Sequence, residues 1–132
     1  MASSLAMPVL VVDDSRTMAR LARNLLQLIG FSQVDDVFDG VTALARLRER
    51  QYGLVICDWN MQPMTGHMLL KEIRNDPGLW RLPVIMMTAE TALANVMAAK
   101  EAGANGYIVK PFNGATLKNK VAAVLASASE RV

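Results

Sequence analysis

The chain has few of the residues that mark several common classes of protein. Of its 132 residues, one is cysteine, one is histidine and 5% are aromatic. A single cysteine excludes an internal disulfide and a metal site built from several thiolates. We interpret Cys57, which lies in an apolar run, as a buried core thiol. His67 has no second histidine to join it, so a zinc site, which takes three or four ligands, is not expected.

An excess of charge of one sign and long apolar runs are also lacking. The chain has fourteen basic and twelve acidic residues, which give a net charge of +2, and the basic residues are scattered along the sequence. This argues against a nucleic-acid partner, which would need a basic stripe. No apolar stretch approaches the about 18 residues of a membrane span. Residues 1–6 lack the basic start of a secretory signal, so we expect a cytoplasmic protein with no membrane partner.

Short apolar runs alternate with amphipathic segments five times along the chain, which is 52% hydrophobic and 20% charged. The predicted strands cover residues 8–12, 33–38, 54–57, 83–87 and 106–109. The predicted helices cover residues 16–29, 41–50, 67–75, 91–102 and 113–126. Strict alternation of strand and helix predicts an α/β fold, with a parallel sheet covered by helices on both faces.

The first helix and the second strand carry more detailed predictions. The face of the helix that is expected to be buried contains the apolar residues Met18, Leu21, Ala22, Leu25 and Ile29. Ser15 or Asp14 can cap the start of this helix, and Gly30 suits its end. The second strand is more polar than the others, which is typical of an edge strand.

Polar side chains follow four of the five predicted strands: Asp13 with Asp14, then Asp58, Thr88 and Lys110. Each has an ordinary explanation when taken alone. The aspartates could serve turns or helix caps, Thr88 could be a strand-end hydroxyl, and Lys110 could be a solvated lysine. However, ligands of parallel sheets bind outside the carboxyl ends of the strands. The common position of these residues therefore predicts one shared site.

The residue types at this site indicate a divalent cation and a phosphoryl group. Three clustered carboxylates repel one another unless a cation compensates them. Mg²⁺ suits them because it takes hard oxygen ligands, and Mn²⁺ could substitute for it. With the metal bound, one carboxylate can act as a nucleophile and form an aspartyl-phosphate. The metal, an ammonium, a hydroxyl and backbone N–H groups can then neutralise the oxygens of the transferred group.

Five stretches resemble, in order and spacing, the receiver domains of two-component response regulators, most closely the single-domain chemotaxis receivers of the CheY type. They are residues 11–18, 58–61, 82–85, 88–90 and 102–112. The resemblance implies a flavodoxin-like (βα)5 doubly wound parallel sheet, with strand order 2-1-3-4-5 in a single domain. The receiver domain is expected over residues 7–127, between a flexible tail at 1–6 and a C-terminal tail at 128–132.

The resemblance implies a role for each residue of the phosphorylation site. Asp58 resembles the phosphoacceptor of the family. Asp13 and Asp14 resemble the acidic pair that holds Mg²⁺, together with Asp58 and the backbone carbonyl of Asn60. Lys110 resembles the lysine that contacts the phosphoryl group, and its bond to the following proline resembles a cis peptide of the family.

Further residues resemble the parts of the family that respond to phosphorylation. Thr88 resembles the switch hydroxyl, and Tyr107 the aromatic side chain that changes rotamer with it. The family reads this change on its fourth helix, fifth strand and fifth helix. Leu93 and Met97 lie off the helix face that Val96 and Ala99 are expected to bury. They could belong to a partly buried edge or, together with Tyr107, to a docking surface for a partner.

Two positions bear on the lifetime of the phosphorylated state, and one departs from the family pattern. Asn60 and Glu90 flank the expected path of water, where they would control dephosphorylation. Thr65 stands where the family more often has aspartate. Its hydroxyl can still cap the next helix, so we expect a change of loop detail and not of activity.

The implied partners are a sensor histidine kinase (CheA-like), a flagellar motor switch protein or another target protein, and in addition a phosphatase. We expect a monomer that is not an enzyme, apart from assisting its own phosphorylation and dephosphorylation. The roles of relay intermediate, phosphate sink and kinase regulator stay open.

Two other classes of protein fit the sequence less well. A phosphohydrolase of the haloacid dehalogenase type would need a second aspartate in place of Ser15. A flavodoxin-like cofactor carrier would need a hydroxyl- and glycine-rich phosphate loop after the first strand, where two carboxylates repel phosphate.

Overall fold

The computed structural model describes residues 5–89 and 93–129, and within these it contains five strands and five helices in strict alternation. The strands are β1 (Val9–Val12), β2 (Val34–Val37), β3 (Leu54–Asp58), β4 (Val84–Thr88) and β5 (Gly106–Val109). The helices are α1 (Arg16–Ile29), α2 (Gly40–Glu49), α3 (Gly66–Asn75), α4 (Leu93–Glu101) and α5 (Gly114–Ser129). All ten predicted elements are present: α1 and β5 have the predicted bounds, and the ends of the others differ by at most three residues, with the predicted start of α4 at residue 91 outside the described residues.

The strands form one parallel sheet in the order β2-β1-β3-β4-β5. The predicted flavodoxin-like fold is therefore confirmed, and β2 lies at an edge as its polar sequence indicated. The order reverses direction at β1, so β1 and β3 meet at the switch point where such sheets bind ligands. Among the described residues, no helix is both long enough and apolar enough to cross a membrane.

Successive side chains of each strand enter two separate cores on opposite faces of the sheet. Leu10 and Val12 pack with the buried residues of α2, α3 and α4, whereas Val9 and Val11 pack with those of α1 and α5. All four β1 residues are fully buried. The short, continuous apolar runs of the sequence thus reflect strands that are covered on both faces.

The buried face of α1 differs from the predicted one. Its fully buried residues are Ala19, Ala22 and Leu26, whereas Leu21 is 41% exposed. Small alanines let the helix approach the sheet closely beside Leu26, while Met18, Leu25 and Ile29 are half-buried at the sides of the contact. Of the two candidate caps, Ser15 is the one whose hydroxyl accepts from the N–H of Met18, at 3.3 Å.

The other helices mostly follow their predicted faces. Leu117, Val121 and Val124 of α5 are buried as expected, while Leu125 is half-buried. In α4, Ala99 is buried but Val96 is only half-buried, so the predicted inward face is partly wrong. The described part of the chain contains two cis peptide bonds, the predicted Lys110–Pro111 and an unforeseen one at Gln62–Pro63.

Candidate functional site

The four strand ends that the sequence singled out meet at one edge of the sheet. Asp13 follows β1 and Lys110 follows β5, whereas Asp58 and Thr88 are the last residues of β3 and β4. Backbone hydrogen bonds tie these ends together, with the N–H of Lys110 donating to the carbonyl of Thr88 at 2.7 Å. Similarly, the N–H of Trp59 donates to the carbonyl of Met87 at 2.8 Å. The sheet thereby fixes the spacing of the polar side chains.

Lys110 joins two of the three carboxylates. Its Nζ donates to Oδ2 of Asp13 at 2.8 Å and to Oδ1 of Asp58 at 2.9 Å. Asp13 is fully buried and Asp58 is 6% exposed, so the ammonium meets both charges largely away from water. The other oxygen of Asp13 accepts from the N–H of Ser15 at 2.9 Å. The ordinary explanation of Lys110 as a solvated surface lysine is therefore excluded.

The carboxylates form a cluster suited to a divalent cation. Asp13, Asp14 and Asp58 each offer an oxygen, and these oxygens all lie within 4.8 Å of one another. Three negative charges and the single ammonium of Lys110 leave two negative charges in the cluster, which a divalent ion would balance. Carboxylate oxygens and the water that reaches the exposed Asp14 are the ligands that Mg²⁺ takes. The donor set present in the structure thus fits Mg²⁺, the metal predicted from the sequence.

Burial determines how these groups ionise. It raises the pKa of Asp58 above its ordinary value, and the nearby charge of Asp13 adds to the rise, while the hydrogen bond from Lys110 opposes it. Burial alone would lower the pKa of Lys110, but its hydrogen bonds to Asp13 and Asp58 outweigh that effect and raise the pKa. Lys110 is consequently an ammonium at neutral pH. Burial also raises the pKa of Cys57, which is a 1% exposed core thiol as predicted.

Two further predicted residues, Asn60 and Thr65, lie in the loop after β3. Asn60 is exposed there, where its side chain is accessible to water. The hydroxyl of Thr65 accepts from the N–H of Met68 at 3.1 Å, which confirms its predicted role as the cap of α3. Glu90 lies outside the described residues, as does the side chain of Leu93.

Thr88 and Tyr107 face the same small cavity. The cavity has a volume of about 10 Å³ and lies between β4, β5, α4 and the loop after β3, lined also by Trp59, Val96 and Ala99. Thr88 is buried and Tyr107 is half-buried. The two residues predicted to move together therefore line one cavity, which is about the size of a single water molecule.

Tyr107 also lines a larger groove on the surface of α4, β5 and α5. This groove has a volume of about 250 Å³, and its wall includes Val96, Lys100 and Lys120. Nζ of Lys120 lies 4.9 Å from the centre of the Tyr107 ring, a cation–π contact. Met97, 52% exposed, lies on α4 but does not line the groove.

Sequence reasoning missed one contact at the edge of the site. The rings of Trp59 and His67 are stacked, with centroids 4.9 Å apart and planes 19° from parallel. His67 is half-buried. An indole directly after Asp58 and a histidine in the first turn of α3 were visible in the sequence. Their contact follows only from the loop that folds α3 back onto β3.

The sequence and the fold are both similar to those of known proteins. A model of the response regulator receiver domain family matches residues 9–122. Chemotaxis protein CheY-3 of Vibrio cholerae is 49% identical over 115 residues, which cover 87% of this chain and 88% of the relative. Chemotaxis protein CheY of Pseudomonas aeruginosa is 44% identical, covering 87% and 93%. The structure of Vibrio cholerae chemotaxis protein CheY4 is similar with a TM-score of 0.85 and 34% identity, covering 90% of this chain and 98% of the other.

Proposed function

The chain belongs to the response regulator receiver domain family, and we propose that it is a switch that a phosphoryl group on Asp58 activates. The observation that carries this proposal is the ammonium of Lys110 held between Asp13 and Asp58 at a cluster of three carboxylates. A nucleophilic carboxylate, a fixed cation and a hydroxyl at the end of the neighbouring strand are the groups that phosphoryl transfer requires.

In the proposed reaction, Asp58 attacks the phosphorus of a phosphohistidine in a partner kinase. Lys110 holds Oδ1 of Asp58, which leaves Oδ2 as the attacking atom. A bond forms between Oδ2 and phosphorus while the bond between phosphorus and the histidine nitrogen breaks, and the electron pair of that bond stays on the imidazole. Lys110 then donates to an oxygen of the new acyl phosphate, where its charge offsets that of the phosphoryl group.

Mg²⁺, or Mn²⁺ in its place, would be held by the carboxylates of Asp13, Asp14 and Asp58 and by the backbone carbonyl of Asn60. When bound, the metal neutralises charge on the phosphoryl oxygens during transfer. Asp13 supports this from a fixed position, because the N–H of Ser15 and the ammonium of Lys110 both bind its carboxylate. Asp14 is exposed and completes the set from the solvent side.

The proposed response to phosphorylation runs through Thr88 and Tyr107. A phosphoryl oxygen on Asp58 is an acceptor for the hydroxyl of Thr88, at the end of the strand beside β3. Movement of Thr88 toward Asp58 enlarges the cavity that it shares with Tyr107, and the phenol ring can then turn inward. Phosphorylation in this way favours one of two existing rotamers of Tyr107. The surface of α4, β5 and α5 changes shape with it.

A role in chemotaxis is supported by the relatives, which are named chemotaxis proteins and are covered over most of their length. We propose a CheA-like histidine kinase as the donor and a flagellar motor switch protein as the target. Tyr107, Lys100 and Lys120 line the groove that a target would enter. Hydrolysis ends the signal when water attacks phosphorus and the bond to Oδ2 of Asp58 breaks.

The test is phosphorylation by acetyl phosphate with and without Mg²⁺, in the wild type and in Asp58→Asn. Trp59 adjoins Asp58, so its fluorescence reports the site once Trp80→Phe has removed the second indole. We expect a Mg²⁺-dependent mass increase of one phosphoryl group, and a fluorescence change that Asp58→Asn abolishes. Phosphorylation that persists in Asp58→Asn would contradict the assignment of the acceptor. Mg²⁺ binding without any phosphorylation of the wild type would contradict the switch itself.

A further inference from the structure

A second groove lies at the end of the sheet opposite the candidate phosphorylation site. It has a volume of about 610 Å³, within the range of protein ligand sites, and is open to solvent on one side. Its two walls are residues 47–52, which lead from α2 into β3, and residues 76–83, which lead from α3 into β4. Both walls precede strands, whereas the phosphorylation site is built where strands end.

Trp80 is the largest apolar side chain exposed in the groove, at 53%. Its backbone is fixed within a tightly bonded loop, since its N–H donates to the carbonyl of Asp76 at 3.0 Å. The N–H of Gly78 donates to Oδ1 of Asp76 at 2.8 Å, and the N–H of Leu82 donates to the carbonyl of Leu79 at 2.9 Å. An exposed indole on a fixed loop is a low-entropy anchor for a partner.

Arg74 strengthens this loop from the end of α3. Its guanidinium donates to the carbonyls of Trp80 at 3.1 Å, Leu82 at 2.7 Å and Gly103 at 2.7 Å. It also donates to Oδ1 of Asn105 at 2.8 Å. The loop that presents Trp80 is therefore tied to the segment before β5, and it is preorganised before any partner arrives.

The charges of the groove are distributed unequally. Arg48 pairs with Asp76 at 3.1 Å, and Arg50 pairs at 2.7 Å with Asp35, which lies outside the lining. The N–H of Gly78 and the guanidinium of Arg48 hold the pKa of Asp76 below its usual range. Arg81 makes no ion pair with a carboxylate of the described chain.

The guanidinium of Arg81, which has no carboxylate partner among the described residues, lies over the exposed indole of Trp80. Its Cζ is 4.9 Å from the centre of the Trp80 ring. Glu49, on the opposite wall, would repel an acidic group placed beside it. An incoming carboxylate would therefore bind on the wall that carries Arg81, where Arg48 already neutralises Asp76.

We propose that this groove is a docking site for an acidic peptide segment of a partner protein. A carboxylate of the segment binds Arg81, and an adjacent large apolar side chain packs on Trp80. Tryptophan and arginine together are typical of the residues that dominate protein interfaces. Because the groove lies at the far end of the sheet, the segment binds without phosphorylation and leaves Asp58 accessible.

The test is selection from a displayed library of random twelve-residue peptides on the immobilised full chain. Peptides that also bind the double variant Trp80→Ala/Arg81→Glu are removed, and the survivors are synthesised for affinity measurements. We expect sequences in which aspartate or glutamate adjoins a large apolar residue. Each single substitution, Trp80→Ala or Arg81→Glu, should weaken binding by about tenfold or more.

Matched variants separate the groove from general effects. Leu28→Ala removes another exposed apolar side chain, and Lys71→Glu reverses another exposed charge, and neither lines the groove. Both should bind the peptides as the wild type does, and so should Asp58→Asn. Thermal unfolding of the Trp80 and Arg81 variants should be unchanged, because the loop is held by backbone groups and Arg74.

Four outcomes would overturn the proposal. Two concern the selection: no peptide survives the depletion, or the surviving peptides lack acidic residues. The other two concern affinity: substitution of Trp80 and Arg81 leaves peptide binding unchanged, or Asp58→Asn abolishes it. Nucleotides are tested separately with AMP and GMP in a Trp59→Phe background. The groove would be assigned to nucleotides instead if no peptide were selected and if either nucleotide quenched the fluorescence of Trp80. Arg81→Glu would then have to abolish this quenching.

Discussion

Gly66 lies directly against the carbonyl oxygen of Asp58, and a Cβ on Gly66 would collide with that oxygen. The same Cβ would lie 2.7 Å from Cε of Met86 and 2.9 Å from Cα of Trp59. The N–H of Gly66 donates to the carbonyl of Trp59 at 3.0 Å. The first turn of α3 is thus fixed on the backbone of the proposed phosphoacceptor, and only glycine allows this approach.

Gly66→Ala should lower the free energy of unfolding by about 1–3 kcal/mol, because the added methyl group forces β3 and α3 apart. Urea unfolding at neutral pH measures this loss. Gly78→Ala is the matched control, since its Cβ would meet only Oδ1 of Asp76 at 3.4 Å. The control should stay within about 0.5 kcal/mol of the wild type. Equal stability of the two variants would show that the loop absorbs the methyl group.

Lys110→Met should separate metal binding from phosphorylation. The ammonium offsets charge on the transferred group, so phosphorylation by acetyl phosphate should slow by about a hundredfold or more. Mg²⁺ affinity should not fall, because the ammonium competes with the metal for Asp13 and Asp58. Quenching of Trp59 by Mg²⁺ and intact mass measure the two effects. Lys71→Met should change neither, and a parallel loss of both in Lys110→Met would indicate a misfolded site.

Asp58→Asn should stabilise the metal-free protein at neutral pH. The raised pKa of Asp58 means that the folded state holds the proton more tightly than the unfolded state does. Ionisation of Asp58 therefore weakens folding at neutral pH, and this cost disappears below the unfolded pKa of about 3.9. Urea unfolding in EDTA should show a gain at pH 7 that shrinks as the pH falls toward 4. A gain that is independent of pH would exclude the carboxylate as its cause.

Asn60→Leu and Glu90→Leu should each change the lifetime of the acyl phosphate. A polar side chain beside the path of water positions the attacking molecule, and an apolar one excludes it. We expect decay of the acyl phosphate to slow by about tenfold in at least one variant. Intact mass after removal of acetyl phosphate measures the decay. Gln62→Leu places the same side chain at another exposed position of the loop that contains Asn60. The acyl phosphate of this control should decay at the wild-type rate. Unchanged lifetimes in both variants would refute the assignment of Asn60 and Glu90.

Leu93→Ala combined with Met97→Ala should weaken target binding by about tenfold, since apolar anchors dominate interfaces. Phosphorylation of Asp58 should persist, because neither residue lies on β1, β3, β4 or β5. Affinity for a flagellar motor switch protein, compared before and after phosphorylation, measures the effect. Leu28→Ala on α1 is the control. If binding and phosphorylation fell together, Leu93 and Met97 would belong to the packing of α4 and not to a partner surface.

The sequence was sufficient to predict the fold and the spatial cluster of site residues. The alternation of apolar runs and amphipathic segments predicted the parallel sheet, and the polar residues at strand ends predicted their meeting. These inferences succeed because local periodicity and the direction of parallel strands leave few arrangements open. The capping role of Thr65 was equally visible, since it depends on residues only three positions apart.

Features that depend on distant contacts were not predictable. Leu21 was placed on the buried face of α1, but close packing on the sheet favoured the small Ala19 and Ala22. Arg74 looks like an ordinary helix-end arginine, although its partners include Gly103 and Asn105, about thirty residues away. The groove at Trp80 likewise arises from two loops that no local pattern joins.

Neighbouring residues of β4 belong to different cores, because the two cores lie on opposite faces of the sheet. Met86 belongs to the core that contains Ala99, and Tyr107 packs against this core. Met86 also lines the cavity that Thr88 and Tyr107 share. Met87 belongs to the core of α1 and α5. The described residues therefore pack as two cores on opposite faces of one sheet, and the core residues that line the cavity of Thr88 and Tyr107, Met86 and Ala99, both belong to one of them.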